Sequence, residues 1–387
     1  MSKKIKIALV RGDSLKEQEA RVWETLGDQF ETTAFCARKN LFSLEKINLP
    51  IVKLPSTSDN FFLRNICKYG FGQYKRMFGL EKQISDFDIV HTVEVFNYYT
   101  LQAVRAKQKN PKMKIVANFV DNTFGRFEYN YWPGFSYPPT YWRKKISDIT
   151  RETIKNVDVF LAISKYSAEL LKDLGAKPEQ VKVVYPGLVL GSNDESLLDR
   201  YNLRGKNFYL TVSRLVWEKG VYDVLYGWKL YSREKVNHGH TLVIIGDGPE
   251  YKNVERLIGE FNLDSSVFLI KSASHEEITP LYRHARAFIL ASLMTRAWQE
   301  QLGYVLIEAL TEDCPVISTI SGAIPEVVDN AGILVSPGNP IELKNALIEM
   351  GNDGVYKTLK ENCAKVKQKF SLKRFQDQLV EVYQSLV

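Results

Sequence analysis

The chain has little cysteine, little histidine and no long apolar run, and each shortage removes a class of function. Its four cysteines, Cys36, Cys67, Cys314 and Cys363, are scattered through 387 residues without paired spacing. That argues against a disulfide framework or a zinc site and suits a reducing cytosol. No uninterrupted apolar stretch approaches the length of a membrane-spanning helix. The basic start, Met1-Ser-Lys-Lys-Ile-Lys-Ile-Ala-Leu-Val10, reaches Arg11 and Asp13 too soon for a leader and is read as a first strand. Neither an internal repeat nor a low-complexity segment is evident.

What is present is an ordinary globular composition with unevenly shared charge. Residues 1–190 hold 30 Lys and Arg against 20 Asp and Glu, whereas the remainder holds 22 against 25. The first half therefore suits an anionic partner. Apolar, β-branched runs recur at Ile5–Val10, Ile89–Thr92, Ile115–Phe119, Val159–Ile163 and Val181–Val184. A second series follows at Phe208–Val212, Thr241–Ile245, Val267–Ile270, Ala287–Leu290 and Val316–Ser318. Between them lie amphipathic stretches such as Tyr166–Leu174 and Val221–Tyr231. Strand–helix alternation predicts an α/β fold with parallel sheets, and two series predict two doubly wound domains with a cleft between them. The division falls near Pro186-Gly187, with a polar, acidic linker over Ser192–Asp199. The last segment, Leu372–Leu386, is predicted as a helix with Phe375, Leu379, Val382 and Leu386 on one face.

The pattern that points to chemistry is Glu300-Gln-Leu302-Gly303-Tyr304 through Glu308, with seven residues between the two glutamates. Two carboxylates on a helix are ordinarily solvated charge. Here they stand between strand-like Ala287–Ser292 and strand-like Pro315–Ser318, at the carboxyl end of a strand where parallel sheets bind ligands. A helix starting at Gly303 would offer its first N–H groups to a phosphate. The glutamates would then hold hydroxyls on either side of a bound diphosphate. Arg214 and Lys219, after another strand, form a fork and a mobile charge suited to clamping that diphosphate, although either alone reads as a surface residue. Gly246-Asp-Gly248-Pro-Glu250 closes a further strand and is also plain turn chemistry. Ser321-Gly322-Ala-Ile-Pro325-Glu326 again opens a helix.

Together these motifs resemble the retaining glycosyltransferases of family four, which have the GT-B fold. The resemblance is strong from about Asp158 onward and weak before it. It implies an acceptor-binding domain over 1–187, a donor-binding domain over 188–369, and a helix over 370–387 returning to the first domain. It implies that Arg214 and Lys219 neutralise the diphosphate leaving group, that Glu300 holds the transferred sugar and that Glu308 holds the ribose. Backbone amides of Leu302, Gly303 and Tyr304 would bind phosphates, with Gly246, Gly248 and Gly12 allowing close approach. No metal or other cofactor is obligatory in this scheme. The chain departs from the family twice. Arg11-Gly12-Asp13-Ser14 replaces a Gly-Gly pair, with Ser14 and Glu17 spaced as a capping box. Val120-Asp121 replaces a His-Asp pair, leaving Asp121 as an acceptor-side candidate or a turn residue.

His91 is placed at a strand end facing the cleft, in a structural or a catalytic role. His238, His240, His275 and His284 read as loop or surface residues. The segment 63–78 either lays an apolar face on an anionic membrane or packs on its own domain. The aromatic and basic run over 129–145 fits a glycan or a lipid-linked saccharide. Nucleic acid fits that composition too but leaves the glutamates unexplained. The expectation is a cytoplasmic enzyme, at or near the inner face of a membrane, moving a sugar from a nucleotide-diphosphate sugar to a lipid-linked saccharide or cell-surface glycan. The alternatives are a nucleotide-sugar epimerase or hydrolase on the same fold, and a non-catalytic glycan- or membrane-binding protein.

Overall fold

The apolar runs become strands because a parallel sheet covered on both faces buries every side chain. A computed structural model describes residues 4–60, 62, 75–121, 140–188, 192–234, 239–295 and 298–387. It divides the chain into two compact units, one of residues 1–187 with 372–387 and one of residues 188–371. The segment 63–74 and the run 122–139 lie outside the described residues, and with them most of the proposed membrane face and aromatic stretch.

The first unit is built on β1 (Ile5–Val10), β2 (Phe30–Ala37), β3 (Ile51–Leu54), β4 (Ile89–Val93), β5 (Lys114–Phe119), β6 (Val159–Ala162) and β7 (Val181–Val183). All pair in parallel, in the order β3-β2-β1-β4-β5-β6-β7. The period of two is explicit in β1: Ala8 and Val10 enter one core, Ile7 and Leu9 the other. The second unit repeats the winding with β8 (Phe208–Val212), β9 (Thr241–Ile245), β10 (Val267–Ile270), β11 (Ala287–Leu290), β12 (Val316–Thr319) and β13 (Gly332–Val335), in the order β10-β9-β8-β11-β12-β13. In each sheet the strand order reverses once, between β1 and β4 and between β8 and β11. Open parallel sheets bind ligands at that switch point, beyond the strands' carboxyl ends.

Three strands were not predicted. β2 carries Glu31-Thr-Thr in its first half, β3 is short and half exposed, and β13 opens on Gly332. A Cβ at Gly332 would lie 2.5 Å from the Val316 carbonyl oxygen, so close packing on β12 requires the residue that hides the strand.

The C-terminal helix, Leu372–Gln384, packs on the first unit with Phe375, Leu379, Val382 and Tyr383 buried. Each such side chain contributes about 1.5–3 kcal/mol. Gln376 Nε2 donates to the Val22 carbonyl at 3.0 Å and Thr25 Oγ1 at 2.7 Å, fixing the register. At the crossover a Cβ on Gly187 would meet Leu372 Cα at 2.6 Å, so only glycine lets the outgoing and returning chains run side by side.

Two expectations are corrected here. His91 lies within β4, fully buried, rather than at a strand end. Its Nε2 bonds with Asn118 Oδ1 at 2.9 Å and its Nδ1 with the Tyr383 hydroxyl, which also accepts from Trp23 Nε1 at 3.0 Å. Burial, then the nearby Arg11 charge, hold its pKa well below the ordinary range. Through Tyr383 it ties the returning helix to the sheet. Ser14 makes no capping box: its hydroxyl donates to the Arg11 carbonyl at 3.0 Å, and the next helix, Glu17–Glu24, starts without a side-chain cap. Among the described residues no helix is long and apolar enough to cross a membrane.

Candidate functional site

In the second unit the switch point is built by three loops locked to one another through backbone. After β8, Trp217–Lys219 forms one turn of 3-10 helix ending at Gly220, with φ of 68°. A Cβ there would sit 1.8 Å from the Ala291 carbonyl oxygen, so glycine alone allows this turn to lie against the end of β11. The Leu293 N–H donates to the Glu218 carbonyl at 2.8 Å and completes the join. The turn after β9 is fitted just as closely. Cβ atoms on Gly246 and Gly248 would lie 1.9 Å and 2.3 Å from the carbonyl oxygens of Ser213 and Leu215. The Leu215 N–H donates to the Asp247 carbonyl at 2.8 Å. These glycines therefore hold the loop that carries Arg214 against the turn after β9.

Lys219 and Glu300 meet across the switch point, Nζ to Oε2 at 2.7 Å, with side chains only 15% and 9% exposed. The same carboxylate oxygen accepts from Ser292 Oγ at 2.7 Å. Ser321 steadies the Glu300 loop by accepting from the Glu300 N–H at 3.3 Å and donating to the Leu293 carbonyl at 2.8 Å. The Ala323 N–H donates to the Glu300 carbonyl at 3.2 Å. Trp298 lies beneath the ammonium, its ring centroid 5.2 Å from Nζ. A charge pair this buried is expensive to assemble, and here hydroxyl and aromatic neighbours offset the loss of water. Arg214 is exposed on the same loop.

Gly303, with φ of 73°, caps the helix Tyr304–Thr311, and the N–H groups of Leu306 and Ile307 donate to its carbonyl. Leu302 is fully buried and anchors the turn, while Tyr304 is 42% exposed. Glu308 Oε2 accepts from Tyr282 OH at 3.0 Å. Burial pushes the Glu308 carboxyl above the ordinary range, opposed by the His275 charge and the Tyr282 hydrogen bond. Exposed Trp217, Met294, Tyr304 and Ile320 lie in the segments that follow β8, β11 and β12 and give this end of the sheet an apolar rim.

The second unit thus holds Arg214, Lys219, Gly246, Gly248, Glu300, Leu302, Gly303, Tyr304 and Glu308. The first unit holds Gly12, His91 and Asp121. Gly12, after β1, has φ of 54°, and a Cβ there would lie 2.8 Å from the Tyr99 ring. Asp121 is 8% exposed at the end of β5, and its N–H donates to Glu94 Oε1 at 3.2 Å. Sequence reasoning missed Glu94, whose φ of 65° is unusual for a residue with a side chain. It also missed Tyr282 beside Glu308, and His275, read as a loop or surface residue, starts the helix His275–His284 and acts on the same carboxyl. His240, expected at the surface, is 7% exposed and bonds through Nδ1 with the Tyr231 hydroxyl at 2.7 Å.

Two family models match the chain: Glycosyltransferase Family 4 over residues 26–191 and Glycosyl transferases group 1 over residues 194–370. An uncharacterized glycosyltransferase of Methanocaldococcus jannaschii is 31% identical over 234 residues, 60% of each chain. The chain spans about half to three-fifths of the length of the curated relatives it matches. A glycosyltransferase structure from Rickettsia africae aligns over 99% of this chain and 98% of its own, with a TM-score of 0.72 and 18% identity. Anabaena HepE in complex with UDP aligns over 98% and 100%, with a TM-score of 0.73 and 16% identity. These likenesses carry the fold, which is GT-B. With a model of the same enzyme group on each half and that fold throughout, the chain belongs to glycosyltransferase family 4, the glycosyl transferases group 1.

Proposed function

We propose that the second unit binds a nucleotide-diphosphate sugar and that the chain transfers its sugar, with retention at the anomeric carbon, to an acceptor held by the first unit. The observation that carries this is the buried Lys219–Glu300 pair at the switch point of β8 and β11. An ammonium has three protons, so Lys219 can keep Glu300 and still meet a phosphate oxygen. Arg214 adds a planar fork from the same loop, and the helix end at Gly303 adds backbone amides. Fixed positive charge aimed at a leaving diphosphate lowers the barrier by up to several kcal/mol. In this reading the two cations do the work a divalent metal would otherwise do. Glu300 holds hydroxyls of the departing sugar, and Glu308, supported by Tyr282, holds the ribose. The HepE complex with UDP supports a uridine nucleotide as the first donor class to test.

The basic first half and the run over 129–145 support a lipid-linked saccharide or cell-surface glycan as acceptor, met at the inner face of a membrane. The reaction follows a front-face route, with a leaving phosphate oxygen taking the acceptor hydroxyl proton. Trapping a covalent glycosyl-enzyme would sink that route. The donor assignment is tested by melting wild type and Arg214→Ala with uridine, guanosine and adenosine diphosphate sugars. A ligand at a hundred times its Kd adds about 2.7 kcal/mol, seen as a raised Tm. One nucleotide class should stabilise the wild type and lose most of its effect on the variant. No shift with any class counts against the transferase reading and favours the binding-protein alternative.

A further inference from the structure

The first unit has a switch point too, between β1 and β4, and its chemistry differs from that of the second. Among the described residues, three buried polar atoms stand beyond the ends of these two strands without a hydrogen-bond partner: Arg11 Nη2, Glu94 Oε2 and Asn97 Oδ1. Their residues are 1%, 8% and 3% exposed. Buried polar atoms are almost always satisfied, so three together where a parallel sheet binds ligands call for an occupant. The remaining polar atoms of these side chains are well employed. Arg11 Nη1 donates to the carbonyls of Val10 and His91, each at 3.0 Å, and Arg11 Nε donates to Glu19. Asn97 Nδ2 donates to the Val93 carbonyl at 2.8 Å and the Tyr99 hydroxyl at 2.6 Å. Glu94 Oε1 accepts from the N–H groups of Val120 and Asp121 at 3.1 Å and 3.2 Å. Each group is therefore held in place with one atom left over.

Glu94 is the most constrained of the three. Its left-handed backbone, at φ of 65°, is strained for a residue with a side chain and turns the carboxyl from the end of β4 to the end of β5. We propose that Glu94 Oε2 is a sugar-hydroxyl contact of the acceptor site, at the switch point of the first sheet. This deepens the acceptor half of the function proposed above and rests on it. The ligand chemistry follows from the set. One free donor on Arg11 and one free acceptor on Asn97 suit a hydroxyl-bearing ligand, which both gives and takes. Burial and the neighbouring Asp121 carboxylate raise the Glu94 pKa well above the ordinary range. Oε1 already accepts two N–H groups, so a proton retained by the carboxyl sits on Oε2, where it favours a neutral polyol over a phosphate.

The test uses the full chain, saturated with UDP, and methyl α-glycosides of glucose, galactose, mannose and N-acetylglucosamine, titrated by saturation-transfer NMR. Wild type should bind at least one glycoside. Glu94→Leu, which loses the donor, should weaken it about tenfold, or 1.4 kcal/mol. Glu94→Gln keeps an acceptor for the two N–H groups and a donor at the second position, and should stay within about threefold. Crystals of wild type soaked with the bound glycoside should show a hydroxyl within hydrogen-bond reach of Glu94 Oε2, a result that needs no variant to fold. A glycoside seated elsewhere, none bound, or equal affinity in Glu94→Leu overturns the proposal. Loss in Glu94→Gln equal to that in Glu94→Leu overturns the donor assignment. The UDP-induced rise in Tm, unchanged in all three proteins, keeps the donor reading separate from these outcomes.

Discussion

The two units share one winding and differ in how they settle charge at the switch point. In the second, a lysine and a glutamate neutralise each other, and hydroxyls and an indole fill the remaining positions. In the first, a carboxyl, an amide and a guanidinium each keep an unpartnered atom. A crevice with paired charge is stable when empty and acts by adding a strong anion to cations already in place. A switch point with unpartnered donor and acceptor atoms gains most from a hydroxyl-rich ligand, which both gives and takes. In the function proposed above, the same topology serves a charged donor in one unit and an uncharged acceptor in the other.

The sharpest way to break that comparison is to make the second unit resemble the first. Lys219→Met leaves the Glu300 carboxylate buried without its cation, which should cost about 3–5 kcal/mol in urea unfolding and abolish transfer. Glu300→Gln alone strands the ammonium and should cost somewhat less, because Lys219 is the more exposed partner. The double variant Lys219→Met/Glu300→Gln should recover part of the stability and none of the activity. Recovery of activity, or single-variant losses that simply add, would show that the pair is not a unit.

A second, smaller change probes the frame on which the first crevice rests. Tyr383→Phe leaves Trp23 Nε1 and His91 Nδ1 without their shared hydroxyl and should cost about 1–3 kcal/mol. Because burial depresses the His91 pKa, the folded state holds it neutral while the unfolded chain takes up a proton below the ordinary value of 6.5. Its contribution is complete above that value and is lost as pH falls through it. Stability that rises with acidity across that window would mean that His91 is charged in the folded protein.

How much of this was legible before any coordinates follows the same division. The second unit could be read because its chemistry is written in residue types at fixed spacing: glycines that fit only where carbonyls crowd, and charges placed after strands. Gly220, Gly246 and Gly303 look like turn residues in the sequence, and the structure shows what each is pressed against. Ten of the strands were visible because β-branched runs buried on both faces leave a continuous apolar signature. β2, β3 and β13 were not, since exposure or close packing breaks that signature. His91 was misplaced because a histidine inside a strand looks the same whether its partners are solvent or a helix returning from the far end of the chain. Glu94 could not be found at all. Its significance lies in a backbone angle and an unpartnered oxygen, neither of which a sequence records.

The finest test of the comparison is the pH dependence of stability at Glu94 itself. The group is buried beside the Asp121 carboxylate and acts on the Tyr99 hydroxyl, which Arg11, Glu19 and Asp13 also influence. Its folded-state pKa is raised, so the native protein retains a proton that the unfolded chain releases above the ordinary value of 4.5. The stability this gives is full below that value and falls as pH rises toward the folded pKa, the opposite sign to His91. Glu94→Gln removes the titration while keeping the acceptor for Val120 and Asp121. The difference in Tm between variant and wild type should therefore grow in favour of the variant from acid toward neutral pH. A flat difference would show Glu94 ionised in the native state, and the first crevice would then hold a bare negative charge, suited to a cationic group rather than to a neutral hydroxyl.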